Sequence, residues 1–298
     1  MPSHASPRFA AATASVVVAA LVLASCSFGG GGGGGSGNLA VDLGKELGSY
    51  MVVDLSSGAL QSYVSIPDLL TNPVYRTSKM VFRAVPAGSC VIGQAPSSFG
   101  AQVDEVQQSV TFQRFYIGVF EVTQGQWTLI AGASATPWTS ALAQSVAGAG
   151  AIGATKPAFA LSRDAVAAGL AAAQARMPFP AAMPSGAQWE YACRAGSSTV
   201  FSWGDLGATP ITTAGSYALV NETAQGQTGP EVVGSLAPNA FGLYDMLGNV
   251  WEWTADGNGY IRGGSWRDSL AQARSANKVA LDHATAHVLV GVRLILSP

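Results

Sequence analysis

The sequence predicts a mixed α+β domain with abundant irregular structure, set behind a targeting segment. Three observations predict it. Seven tryptophans accompany 36 glycines in 298 residues, so aromatic rings carry the packing and glycines let the backbone turn. Runs such as "KMVFRAV" and "FYIGVF" have the β-branched and aromatic content of half-buried strands. Two capping boxes, Thr123 with Gln126 and Ser185 with Gln188, mark the starts of helices. Charged residues make up only 11% and the net charge is −2. That balance carries no basic footprint for nucleic acid, and none is expected as a partner.

Residues 1–25 read as a signal rather than as fold. The apolar run "FAAATASVVVAALVLAS" is shorter than the roughly 20 residues of a spanning helix and ends in the small residues of "LASC". It resembles a bacterial lipoprotein signal, which implies cleavage before Cys26 and acylation of that cysteine. An ordinary secretory signal with a chance cysteine is the alternative. Residues 26–40 then form a glycine-rich tether, "SFGGGGGGGSGN", that would span about 20 Å as a coil. The expected location is a bacterial outer membrane or cell surface. The run lacks the Gly-Lys-Ser/Thr ending of a phosphate loop.

Residues 41–78 contain two β-rich runs around "SSG", read as a hairpin extension ahead of a main domain over 79–298. "KMVFRAVPAGSCVIG" and "QSVTFQRFYIGVF" supply the next strands. Helices follow Thr123, Ser162 and Ser185, the last closing on Gly196. From Gly196 to Trp251, glycine, proline and turn residues predict loops. In "NVWEW", Trp251 and Trp253 alternate toward one face of a strand, with Glu252 on the other. Cys90 and Cys193 belong to no Cys-x-x-Cys or Cys/His grouping. Export permits a disulfide between them, whereas their apolar, small-residue surroundings favour two separate buried thiols.

"VPAGSCVIG", "FYIGVFEVTQGQW", "MPSGAQWEYACRAG", "FSWGD", "PNAFGLYDMLGNVWEW", "RGGSW" and "GVRL" occur in this order. Over about residues 79–298 the chain resembles the formylglycine-generating (sulfatase-modifying factor) family, which implies a C-type-lectin-like fold. The resemblance also implies calcium, with ligands at Asp245, Gly248, Val250 and Glu252, the middle two through their carbonyls. Two carboxylates with carbonyl oxygens suit a hard cation. The same carboxylates could instead bond nearby turns or pair with an arginine.

Where the family's copper oxidases carry two cysteines beyond the GGS signal, this chain has Asp268 and Ala273. That pair cannot replace the thiolates that select cuprous copper. Ala182 stands where the family has an arginine, and the domain that supplies histidines in the family's iron enzymes is missing, so neither copper nor iron is expected. His283 and His287, four apart beside Asp282, form a candidate metal pair if helical, but the segment has no helical pattern. A metal-dependent oxidoreductase at such a non-standard site is the alternative function.

The segment 266–293 resembles the variable region of diversity-generating retroelement target proteins, some of which use this fold. Mutagenesis at template adenines scatters asparagine codons over a restricted set that omits Lys, Glu, Gln, Met and Trp. Positions 267–270 and 279–290 hold only permitted residues. Gln272 and Lys278, outside the set, fall in "AQARSANK". The resemblance implies a non-catalytic display protein with a ligand surface of Trp266, Arg267, Asp268, Ser269, Leu270, Ala273, Val279, Ala280, Leu281, Asp282, His283, Ala284 and His287. The expected partner is a protein or cell-surface ligand.

Overall fold

The computed structural model describes residues 49–138, 141–142, 149–174, 181–206, 211–224, 226, 228–257 and 259–296. The signal, Cys26 and the tether lie outside the described residues. In chain order the strands are β1 (Tyr50–Asp54), β2 (Leu60–Tyr63), β3 (Lys79–Val85), β4 (Gly88–Ile92), β5 (Gln108–Phe112) and β6 (Phe115–Gly118). Helices α1 (Gln124–Ala131) and α2 (Arg163–Ala173) come next, followed by β7 (Ala181–Ala182), α3 (Gly186–Arg194) and the one-turn α4 (Ile211–Ala214). The chain closes with β8 (Trp251–Trp253), β9 (Tyr260–Arg262), β10 (Val279–Ala280), β11 (Val290–Val292) and β12 (Ile295–Leu296).

Among the described residues three sheets form, ordered β2-β1-β3-β6-β12-β7, β10-β9-β8-β11 and β4-β5. The hairpin β1–β2 forms as expected, but it is not an appendage. β1 pairs along β3 from Tyr50↔Arg83 to Asp54↔Lys79, which makes the hairpin the outer part of the largest sheet. Burial on both faces explains why its sequence is apolar at consecutive positions. Val53, Met80 and Phe82 join the first core cluster, while Val52 and Val81 enter a smaller one on the opposite face.

The helix starts follow the local chemistry. Thr123 and Ser185 each accept a hydrogen bond from the N3 amide, and the cap's own backbone N–H donates to the N3 glutamine side chain. Ser162 caps α2 in the same way, accepting from the Ala165 N–H at 3.1 Å. α3 closes one residue earlier than expected, with Ala195 already left-handed at φ 47° and Gly196 following at φ 92°. Trp251 and Trp253 both pack in the first cluster, with Trp127, Phe159 and Val166 of the α1 and α2 region. A second cluster gathers Trp189 of α3, Phe201, Leu243 and Ile295. Cys193 is buried and Cys90 half-buried, both as free thiols.

Candidate ligand-binding surface

The C-terminal segment divides by burial. Arg267, Ser269, Ala280, Asp282, His283, Ala284, Ala286 and His287 are exposed, and Asp268, Val279, Leu281 and Val288 are half-buried. Trp266, Leu270 and Ala273, expected on the surface, are buried instead. Trp266 packs in the first cluster, while Leu270 and Ala273 pack in the second beside Trp189. Their apolar side chains have a core to fill, which residue type alone could not reveal. Ala273 also sits against Gly264, where an added Cβ would approach it at 3.1 Å.

The framework run 271–278 is fixed from inside. Arg274 is fully buried and grips Glu105 through both guanidinium ends, at 2.6 and 2.7 Å. Asn277 donates to the Gln272 carbonyl at 2.8 Å, and Arg262 reaches the carbonyls of Ser275 and Ala276. Lys278 donates to the Asp104 carbonyl at 3.1 Å. Buried charges need partners of this kind. Beyond β10 the chain crosses the surface without helix, anchored where Leu281 N–H meets the Gly259 carbonyl at 3.1 Å. His283 Nδ1 lies 2.8 Å from Asp164 at the start of α2. That carboxylate raises the imidazole's pKa through its hydrogen bond.

Asp268 and Ala273, expected where the family's copper oxidases carry cysteines, do structural work. Asp268 accepts the Trp251 indole N–H at 2.8 Å and a hydrogen bond from Ser265. The Ala273 methyl is enclosed. Burial pushes the Cys193 thiol up to about 12 and raises that of Cys90, so both stay protonated and neither is a ready nucleophile. His283 is engaged by Asp164 and not by His287. Among the described residues, no group of three or more His, Cys, Asp or Glu side chains is arranged to hold a metal.

The residues expected to bind calcium fall in a buried acidic group. Glu252 receives Arg293 on both oxygens at 2.7 to 3.1 Å and the Trp189 indole N–H at 2.6 Å. Of the two roles open to it, Glu252 takes that of an arginine's partner. Asp245, left-handed at φ 56°, accepts the Gly234 N–H at 2.6 Å. Glu121, which the sequence did not single out, accepts from Val250 N–H and from Asn249. The expected set therefore does not fit calcium, because its second carboxylate is already saturated. Burial, reinforced by the neighbouring acids, holds Glu121 well above the usual carboxylate range. Burial likewise raises Asp245 to about 6.

A model of the sulfatase-modifying factor enzyme 1-like domain matches residues 67–298. The chain belongs to that family. Its sequence is 43% identical over 77 residues to the formylglycine-generating enzyme of Mycobacterium tuberculosis, a stretch covering 24% of this chain and 26% of that one. The match thus spans about a quarter of the enzyme's length. Among solved structures, PvdO from Pseudomonas aeruginosa aligns with a TM-score of 0.63 at 25% identity, covering 73% of this chain and 94% of its own. Treponema denticola variable protein 1 aligns with a TM-score of 0.62 at 18% identity, covering 74% and 96%. The sulfatase-modifying factor domain here has the C-type-lectin-like fold of the formylglycine-generating type, which it shares with that variable protein.

Proposed function

We propose that this chain is a lipid-anchored, non-catalytic display protein, a variable protein of a diversity-generating retroelement, whose segment 266–293 binds a protein or cell-surface ligand. The observation that carries the reading is the division of that segment. Positions 271–278, which include residues outside the permitted set, hold the buried Arg274 and Asn277. The side chains of 267, 269, 280, 282–284, 286 and 287 face solvent. A rigid scaffold with exposed, changeable residues is how a protein varies its contacts without losing its core. Asp268 and Ala273 in place of a thiol pair support binding rather than oxidation.

Anchoring rests on Cys26 as the acylated residue. Cys26→Ser is expected to release the protein into the soluble fraction, since acyl chains supply the membrane affinity. The surface is tested by replacing Arg267, Ser269, Asp282, His283 and His287 together with alanine. Each exposed change should move stability by no more than about 0.5 kcal/mol, while binding to the ligand recovered with the wild-type protein is lost. Cooperative unfolding of this variant would place the residues in the core and end the display reading.

A further inference from the structure

The crossing 281–287 has neither strand nor helix of its own and is held from two elements outside the segment. On one side, Leu281 N–H donates to the Gly259 carbonyl at 3.1 Å. Gly259, at φ 87°, has no room for a side chain, because a Cβ there would lie 2.5 Å from the Leu281 carbonyl oxygen. On the other side stands the first turn of α2, whose leading N–H groups have no partner within the helix. Ser162 Oγ takes the N–H of Ala165 at 3.1 Å, and the N–H of Asp164 reaches out to the His283 carbonyl at 3.2 Å. Arg163 ties the two supports together, its guanidinium donating to the carbonyls of Ala255 at 2.6 Å and Gly257 at 3.0 Å.

Asp164 and His283 meet a second time through their side chains, with Oδ2 2.8 Å from Nδ1. The main-chain bond is indifferent to what residue 283 carries, and the side-chain bond is not. The charged groups acting on the imidazole are Asp164 and Arg163 of α2 and Asp282 of its own segment. Arg163 is committed to its two carbonyls, and Asp282 accepts the Ala284 N–H at 2.8 Å. We infer that Asp164 is a positioning residue of the ligand surface, a fixed carboxylate that sets how firmly the crossing is held according to the residue at 283 and its charge. The inference rests on the display reading for its purpose and on these contacts for its geometry. A histidine closes the clasp most firmly while protonated, a neutral donor holds it less, and an aspartate would open it by placing two carboxylates together. The Asp164 hydrogen bond raises the imidazole's pKa, so the charged pair outlasts an ordinary histidine and is lost as pH rises through that raised value. Both side chains are more than half exposed, which keeps the effect modest.

The Asp164 amide reports the clasp directly, since its acceptor is the His283 carbonyl. The test follows solvent exchange of that amide and the His283 titration by NMR in the full-length protein. No ligand enters it, so its outcome does not depend on whether 266–293 varies. Corrected for the intrinsic rate, protection of the amide should be about threefold greater at about pH 5.5 than at about pH 8.5. Asp164→Asn should lower the His283 midpoint and remove the pH dependence while leaving some protection. His283→Asn should be protected equally at both pH values, and His283→Asp should lose protection at both. Amides of α3 should exchange alike in all these proteins. Equal protection in the wild type and His283→Asp, or a pH dependence that survives Asp164→Asn, would overturn the proposal. So would α3 amides that quicken together with Asp164, since the effect would then be a global loss of stability. Should these results hold while the five-alanine variant keeps its ligand, the display reading fails and the clasp stands.

Discussion

Arg293 shows how much one buried side chain can organise. It pairs with Glu252 and also donates to the carbonyls of Gly118, Val119 and Tyr244. Arg293→Met should cost about 3–5 kcal/mol in denaturant unfolding, because the buried Glu252 loses its counter-charge. Adding Glu252→Leu should recover part of that loss. Asp245 gives a pH signature. A carboxyl whose folded pKa lies above its unfolded value favours the folded state below the unfolded value. That contribution disappears as pH rises through about 6. Asp245→Asn stays neutral and keeps an acceptor for Gly234. Its melting temperature should therefore gain on the wild type between about pH 4 and pH 7. Chelator should leave both curves unchanged, whereas a chelator-dependent drop would return Asp245 to a cation. These pairings were illegible in the sequence because their partners lie far apart, 169 positions for Arg274 and Glu105 and 129 for Glu121 and Val250.

The elements were readable where their causes are local. Thr123, Ser162 and Ser185 announce their helices because a cap needs only its next three residues. Trp251 and Trp253 announce β8 because alternation is a property of neighbours. Trp253 is fully buried and donates its indole N–H to the Leu161 carbonyl at 2.8 Å. Trp253→Ala should cost about 3–5 kcal/mol, read as a fall in the denaturation midpoint, and a loss below about 1 kcal/mol would mean the ring is not a core element. The failures are equally physical. Leu270 and Ala273 lie in a segment whose mix of residue types suits a surface, and the distant residues of the second cluster, Trp189, Phe201 and Leu243 among them, decide otherwise. The hairpin β1–β2, read as an extension ahead of the main domain, pairs through β1 with β3, a long-range partner that its own sequence does not show.

At the scale of the molecule, the last strands hold the architecture together. β11 pairs in parallel with β8 in one sheet, and β12, three residues later, runs between β6 and β7 in another. β11 closes the segment proposed to vary, and β12 follows it. A chain ending at Val288 should fail to fold, with no cooperative melting transition and no soluble fraction, because it lacks both strands and Arg293. A soluble, cooperatively melting truncation would show that the closing strands are dispensable. On the reading proposed above, completing the fold requires that translation has already passed through the whole variable segment in frame. The closing strands would then act as an inspection step on each variant: a prematurely terminated version lacks β11 and β12, so only a chain read in frame assembles the proposed binding surface.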